Sequence, residues 1–158
     1  MYTLDQPSVV DVHLDSVTVA DAMTAGVINC APDTPLRTVA KLMTTYRVHA
    51  VFVFDYADGT DDGFELWGLV SDLDLVAAAH GGLEARTAGE SAVTPLVTLL
   101  GTDTLARAAE LMAENGVSHL AVVDASMPRP VGVLSTLDIA REIASPGSGR
   151  DARPFSLR

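Results

Sequence analysis

Two short segments of this chain echo each other and set a hydroxyl three residues ahead of a carboxylate: residues 68–74, GLVSDLD, and residues 132–138, GVLSTLD. Each ends an apolar, β-rich run and opens a helical pattern, so Ser71 and Ser135 fall at a helix N-cap with Asp74 and Asp138 at the third helical position. Two kinds of chemistry use that spacing. A capping box lets the serine and the acid satisfy each other's backbone N–H groups. A ligand site uses the same geometry: exposed N–H groups and the helix dipole attract an anion, the hydroxyl adds a donor, and the acid accepts from paired ribose hydroxyls. Cap and site are compatible, and the duplication is what points beyond a lone cap.

The elements that must position these residues are themselves repeated. Residues 33–55 align with residues 102–124, matching Leu36 to Leu105, Met43 to Met112, Val48 to Val117 and Asp55 to Asp124 at a constant spacing of 69. Beyond a loop that is longer in the first copy, Gly68 matches Gly132 and Asp74 matches Asp138. In each copy a helix comes first, with apolar stripes Leu36, Val39, Ala40, Met43 and Leu105, Ala108, Ala109, Met112; Leu111 is expected in the core as well. Asp33 or Thr34 is expected to cap the first helix with Pro35 near its start, and Thr102 or Asp103 the second. Strands are expected at Gly26–Cys30 and Leu96–Leu100, then a hairpin of Val51–Asp55 with Trp67–Val70, and Leu120–Val123 in the second copy. The plan is β-α-β-β-α twice: an α/β (α+β) protein whose apolar strands are buried on both faces. Residues 1–16 form an extension, 17–82 and 83–144 the two repeats, and 145–158, rich in Pro, Gly, Ser and Arg, a flexible tail.

Composition excludes several function classes. With 21 acidic against 10 basic residues and a formal net charge of −11, the chain lacks the basic surface that nucleic acid requires and repels anionic membranes. No apolar run approaches a membrane span, and the N-terminus has no secretory pattern, so a cytoplasmic location is expected. Single Cys30 excludes an intramolecular disulfide and a thiolate metal cluster. The Asp-rich loop between Asp55 and Glu65 fails the EF-hand template, because Leu69 falls where a bidentate Glu is needed, so no metal is assigned. Four dispersed histidines, His13, His49, His80 and His119, form no nucleophile–base or metal pattern, so no catalytic residues and no enzyme are expected.

The duplicated β-α-β-β-α plan, the VADAMT segment at Val19–Thr24 and the paired Gly-x-x-Ser-x-x-Asp segments together resemble a tandem pair of CBS domains (a Bateman module) over roughly residues 17–144. The second opening segment, Thr87–Ser91, matches less well. The resemblance implies repeats packed with pseudo-twofold symmetry and a stand-alone regulatory module that senses an adenosine-containing ligand (AMP, ADP, ATP or S-adenosylmethionine) and signals to a separate effector protein. It has no resident cofactor, and the exposed apolar faces of its helices imply a homodimer. It also implies residue roles: Asp138 and Asp74 on ribose; Ser135, Thr136, His119 and Ser71 on phosphate. Val27, Val48 and His49 would line adenine in the Asp138 cleft, and Val97, Val117 and Ser118 in the Asp74 cleft.

The chain departs from the family pattern where a proline usually begins the second strand: Phe52 and Ala121 stand there. Asp72 adds a carboxylate where phosphate would sit, which favours the Asp138 site and a monophosphate or S-adenosylmethionine over ATP. An alternative is a ligand-free pair acting as an oligomerisation or docking element. Asp138→Ala is expected to abolish ligand binding with little loss of fold.

Overall fold

The computed structural model describes residues 13–56, 64–93 and 96–144; the Asp-rich loop and the C-terminal tail lie outside these residues. In chain order the elements are α1 (Val19–Ala22), β1 (Thr24–Ala25), β2 (Asn29–Cys30), α2 (Leu36–Tyr46), β3 (Ala50–Tyr56), β4 (Phe64–Ser71) and α3 (Asp72–Ala79). A 3₁₀ turn (Leu83–Ala85) leads to α4 (Ala88–Ser91), β5 (Thr98–Leu100), α5 (Leu105–Asn115), β6 (His119–Asp124), β7 (Met127–Ser135) and α6 (Thr136–Ala144). The protein is α/β, with short helix, strand, long helix, hairpin and helix in that order in each of two copies.

Two compact units result. One is Val27–Leu96; the other joins residues from Val97 onward to the segment that ends at Gly26. Units in space are therefore offset from repeats in sequence, and the cause is visible in the strands. The strand expected at Gly26–Cys30 is shortened to β2, and a separate strand, β1, precedes it in a different sheet. β1 pairs antiparallel with β7, Thr24 opposite Val133, whereas β2 pairs parallel with β3, Asn29 opposite Phe52. Gly26, at φ +88°, makes the break, a conformation in which a side chain would be strained.

In the Val27–Leu96 unit the sheet order is β2-β3-β4. Leu36, Val39 and Met43 of α2 meet Val51 and Val53 of β3, Val70 of β4, Ala78 of α3 and Ala88 of α4 in one core. Alternate residues of β3 point the other way, and Phe52 and Phe54 stack there with ring centroids 6.2 Å apart. Both faces of β3 are buried, as its unbroken apolar run requires. Where the family carries proline, the N–H groups of Phe52 and Ala121 donate to Ile28 and Val97 carbonyls, bonds a proline lacks the hydrogen to make.

The second unit has the order β1-β7-β6-β5. Its core joins Val19 and Ala22 of α1 to Leu105, Ala108 and Met112 of α5, Leu120 and Val122 of β6, Leu134 of β7 and Ile139 of α6. Leu111 is only partly buried at its edge, because it lies one position off the Leu105, Ala108, Met112 stripe.

Helix caps also differ from expectation. Pro35 occupies the N-cap of α2 with no side-chain cap, and the Leu36 N–H donates to the Arg86 carbonyl instead. At α5 the cap is Thr104, whose hydroxyl accepts from Arg107 N–H, while Leu105 N–H donates to the Val17 carbonyl. The acid of Asp103 turns back to accept from Leu100 N–H. In both units the chain leading into the short opening helix thus supplies a backbone acceptor for the first N–H of the long helix.

Candidate functional site

The β7–α6 junction carries the second motif. Asp138 is 5% exposed. Its Oδ2 accepts from both the Ser135 N–H and the Ser135 hydroxyl at 2.8 Å, and the Asp138 N–H returns to Ser135 Oγ at 3.3 Å. Oδ1 faces Arg141, whose Nη1 donates across one helical turn at 3.3 Å. β6 completes the surroundings: His119 sits opposite Ser135 in the ladder, Ser118 Oγ lies 2.9 Å from His119 Nδ1, and the Ser118 carbonyl accepts from Thr136 N–H.

Gly132 belongs to the motif for a steric reason. A Cβ there would lie 2.6 Å from the Thr24 carbonyl oxygen and 2.8 Å from Met23 Sδ, so only glycine lets β1 pass beside β7.

The first motif is built alike at the β4–α3 junction. Asp74 Oδ2 accepts from the Ser71 N–H at 2.7 Å and its hydroxyl at 2.8 Å, and Asp74 N–H donates to Ser71 Oγ. Here the next residue is also acidic. Asp72 accepts from its neighbour Leu73 N–H at 2.9 Å through Oδ1, and its Oδ2 takes the His49 imidazole at 2.8 Å. The Asp72 N–H donates to the His49 carbonyl.

The capping-box reading is therefore correct at Ser71, and the Ser135–Asp138 bonds have the same form. These bonds also correct the expectation that Asp138→Ala leaves the fold nearly untouched, because the buried acid is the acceptor for two Ser135 donors. The structure gathers Ser135, Thr136, Asp138, Ser118, His119, Val97 and Val117 in one unit, and Ser71, Asp74, Val27, Val48 and His49 in the other. Val48 packs against the core of its unit, and Val97 and Val117 against that of theirs. The sequence reading passed over Arg141 and the His49–Asp72 pair. Asp138 and Arg141 stand at helical i, i+3 spacing and were legible. The His49 contact needed the β3–β4 register.

Other chemistry is sparse. Burial raises the Cys30 thiol pKa above its ordinary value, against a smaller opposing hydrogen bond from Thr34, as suits an inert thiol. Among the described residues no cluster of three His, Cys, Asp or Glu side chains is placed to hold a metal, and no helix is long and apolar enough to cross a membrane.

A family model described as CBS domain matches residues 19–81 and 90–145. No curated protein matches in sequence. Among solved structures, the CBS domain pair of protein MJ0100 in complex with 5-methylthioadenosine and S-adenosyl-L-methionine is 20% identical; the match covers 81% of this chain and 96% of that one, with a TM-score of 0.69. Hypoxic Response Protein I with two coordinated zinc ions is 28% identical over 79% of this chain and 98% of its own, with a TM-score of 0.59. The CBS-domain containing protein ATU1752 from Agrobacterium tumefaciens is 22% identical over 78% and 96%, at a TM-score of 0.64.

Proposed function

Since the chain belongs to the CBS domain family, with two copies that span more than half of it, we propose that it is a non-catalytic regulatory module that binds an adenosine-containing ligand. One observation carries the reading: a carboxylate, Asp138, buried at a strand-to-helix junction, held by Ser135 and flanked by Ser118 and His119, with the same Ser–Asp bonding at Ser71 and the half-buried Asp74. Asp138 and Asp74 accept from ribose hydroxyls, while Ser135, Thr136, His119 and Ser71 face the phosphate or its replacement. Val27, Val48, His49, Val97, Val117 and Ser118 contribute to the adenine surroundings. The 5-methylthioadenosine and S-adenosyl-L-methionine bound by the MJ0100 pair support this ligand class. Net charge of −11 disfavours polyphosphates, so AMP and S-adenosylmethionine rank above ADP and ATP. In this proposal the module is a cytoplasmic homodimer and reports ligand occupancy to a separate effector protein.

Thermal unfolding against AMP, ADP, ATP, S-adenosylmethionine and adenosine tests the proposal. A ligand at about 100 times its Kd stabilises by about 2.7 kcal/mol, a shift of several degrees. Asp138→Asn, which keeps an acceptor for Ser135 but removes the charge, should reduce that shift. A second reading, a ligand-free docking element, draws on Leu73 and Val76, which are 67% and 65% exposed on α3. A dimer in solution with no thermal shift at millimolar ligand would select it.

A further inference from the structure

We propose that the two motifs are differentiated by charge: the Ser135–Asp138 motif takes a phosphorylated adenosine ligand, and the Ser71–Asp74 motif takes an uncharged or cationic one. This rests on the adenosine-ligand reading and assigns a ligand class to each motif.

The motifs share serine, acid and hydrogen-bond pattern, so whatever separates them must lie at positions where they differ. Two such positions matter, and both leave the first motif the more negative. Thr136 in the second motif is replaced by Asp72 in the first, and Arg141 by Ala77. Asp72 does more than add a negative charge. Its Oδ1 already accepts from Leu73 N–H, a donor that an anion at the start of α3 would otherwise use. Its Oδ2 holds the His49 imidazole at 2.8 Å. Asp72 therefore adds repulsion while engaging two donors an anion needs. Thr136 has no carboxylate to do this for Leu137 N–H.

Around Asp138 the balance is reversed. Arg141 Nη1 lies 3.3 Å from Oδ1, and its side chain is 52% exposed, so the guanidinium offsets the charge of the buried acid while remaining open to solvent. The imidazole of this motif belongs to His119, whose Nδ1 lies 2.9 Å from Ser118 Oγ. A phosphate meets one carboxylate offset by one guanidinium at the second motif, and two carboxylates at the first. A sulfonium or a bare nucleoside suits the first motif for the same reason.

Equilibrium dialysis of the full chain with AMP, adenosine and S-adenosylmethionine tests this. Wild type should bind one AMP per chain, lost in Asp138→Asn, and S-adenosylmethionine binding should be lost in Asp74→Asn. With Asp74→Asn leaving one motif to read, Arg141→Ala should lower AMP affinity relative to adenosine by about twofold to fivefold, the scale of a half-exposed charge pair. The double replacement Asp72→Thr with His49→Ser, which installs the residues of the second motif, should add a second AMP per chain. Two equal AMP sites in wild type, loss of AMP in Asp74→Asn, or an unchanged AMP-to-adenosine ratio in Arg141→Ala would each overturn the charge assignment while the adenosine reading stands. Binding of none of the three compounds would remove that reading and this one with it.

Discussion

Replacing Asp138 by alanine removes the acceptor that the start of α6 depends on. In the folded protein one oxygen, Oδ2, takes both the Ser135 N–H and its hydroxyl at 2.8 Å in a site where Asp138 is 5% exposed. Loss of an N-terminal cap costs about 0.5 to 2 kcal/mol, and a buried donor left without an acceptor costs about 1 to 3 kcal/mol. Both describe the same atoms and do not add in full, so the expected loss is about 2 to 3 kcal/mol. Arg141 adds little, because its guanidinium is half-exposed. For a chain of this size that loss lowers Tm by about 4 to 12 °C. Asparagine keeps an oxygen for Ser135 and should cost under about 1 kcal/mol. Urea unfolding followed by circular dichroism, with thermal melts alongside, measures both variants. An Asp138→Ala midpoint equal to wild type, or an asparagine variant as damaged as the alanine one, would refute the assignment of the carboxylate as a structural acceptor. The comparison also decides which variant is a fair probe of ligand binding.

Gly132→Ala should destabilise by about 1 to 3 kcal/mol, and Met23→Ala should not rescue it, since the closer contact is the Thr24 carbonyl; thermal melts of the single and double variants show this. Arg47→Gly should stabilise by about 0.5 to 1 kcal/mol in urea titration, because Arg47 ends α2 at φ 53° where the equivalent Gly116 ends α5 at φ 62° without a side chain to strain. Leu105→Ala, at a fully buried position, should cost about 2 to 5 kcal/mol, and Leu111→Ala at the core edge under about 2 kcal/mol; equal losses by the same assay would contradict the core boundary.

What could be read from the residues alone was local or repeated. The 3.6-residue stripes through Leu36 and Leu105 mark helices because burying one face requires that period. Ser71 with Asp74, and Ser135 with Asp138, identify caps because donor and acceptor lie within one turn. Repetition then made the family plan legible, since a chance match at one motif does not recur at a constant spacing along a helix and a strand. Tertiary structure decided the rest, because its partners are distant in the chain. β1 joins β7 across more than a hundred residues, which sets the compact units off from the sequence repeats and makes Gly132 indispensable. The Val17 and Arg86 carbonyls take the first N–H groups of α5 and α2 from far along the chain. His49 meets Asp72 because β3 and β4 align Ala50 with Ser71, a register that composition does not encode. Short-range hydrogen bonds and periodicity are properties of a segment; register, close backbone approach and the charge around each motif are properties of the folded chain.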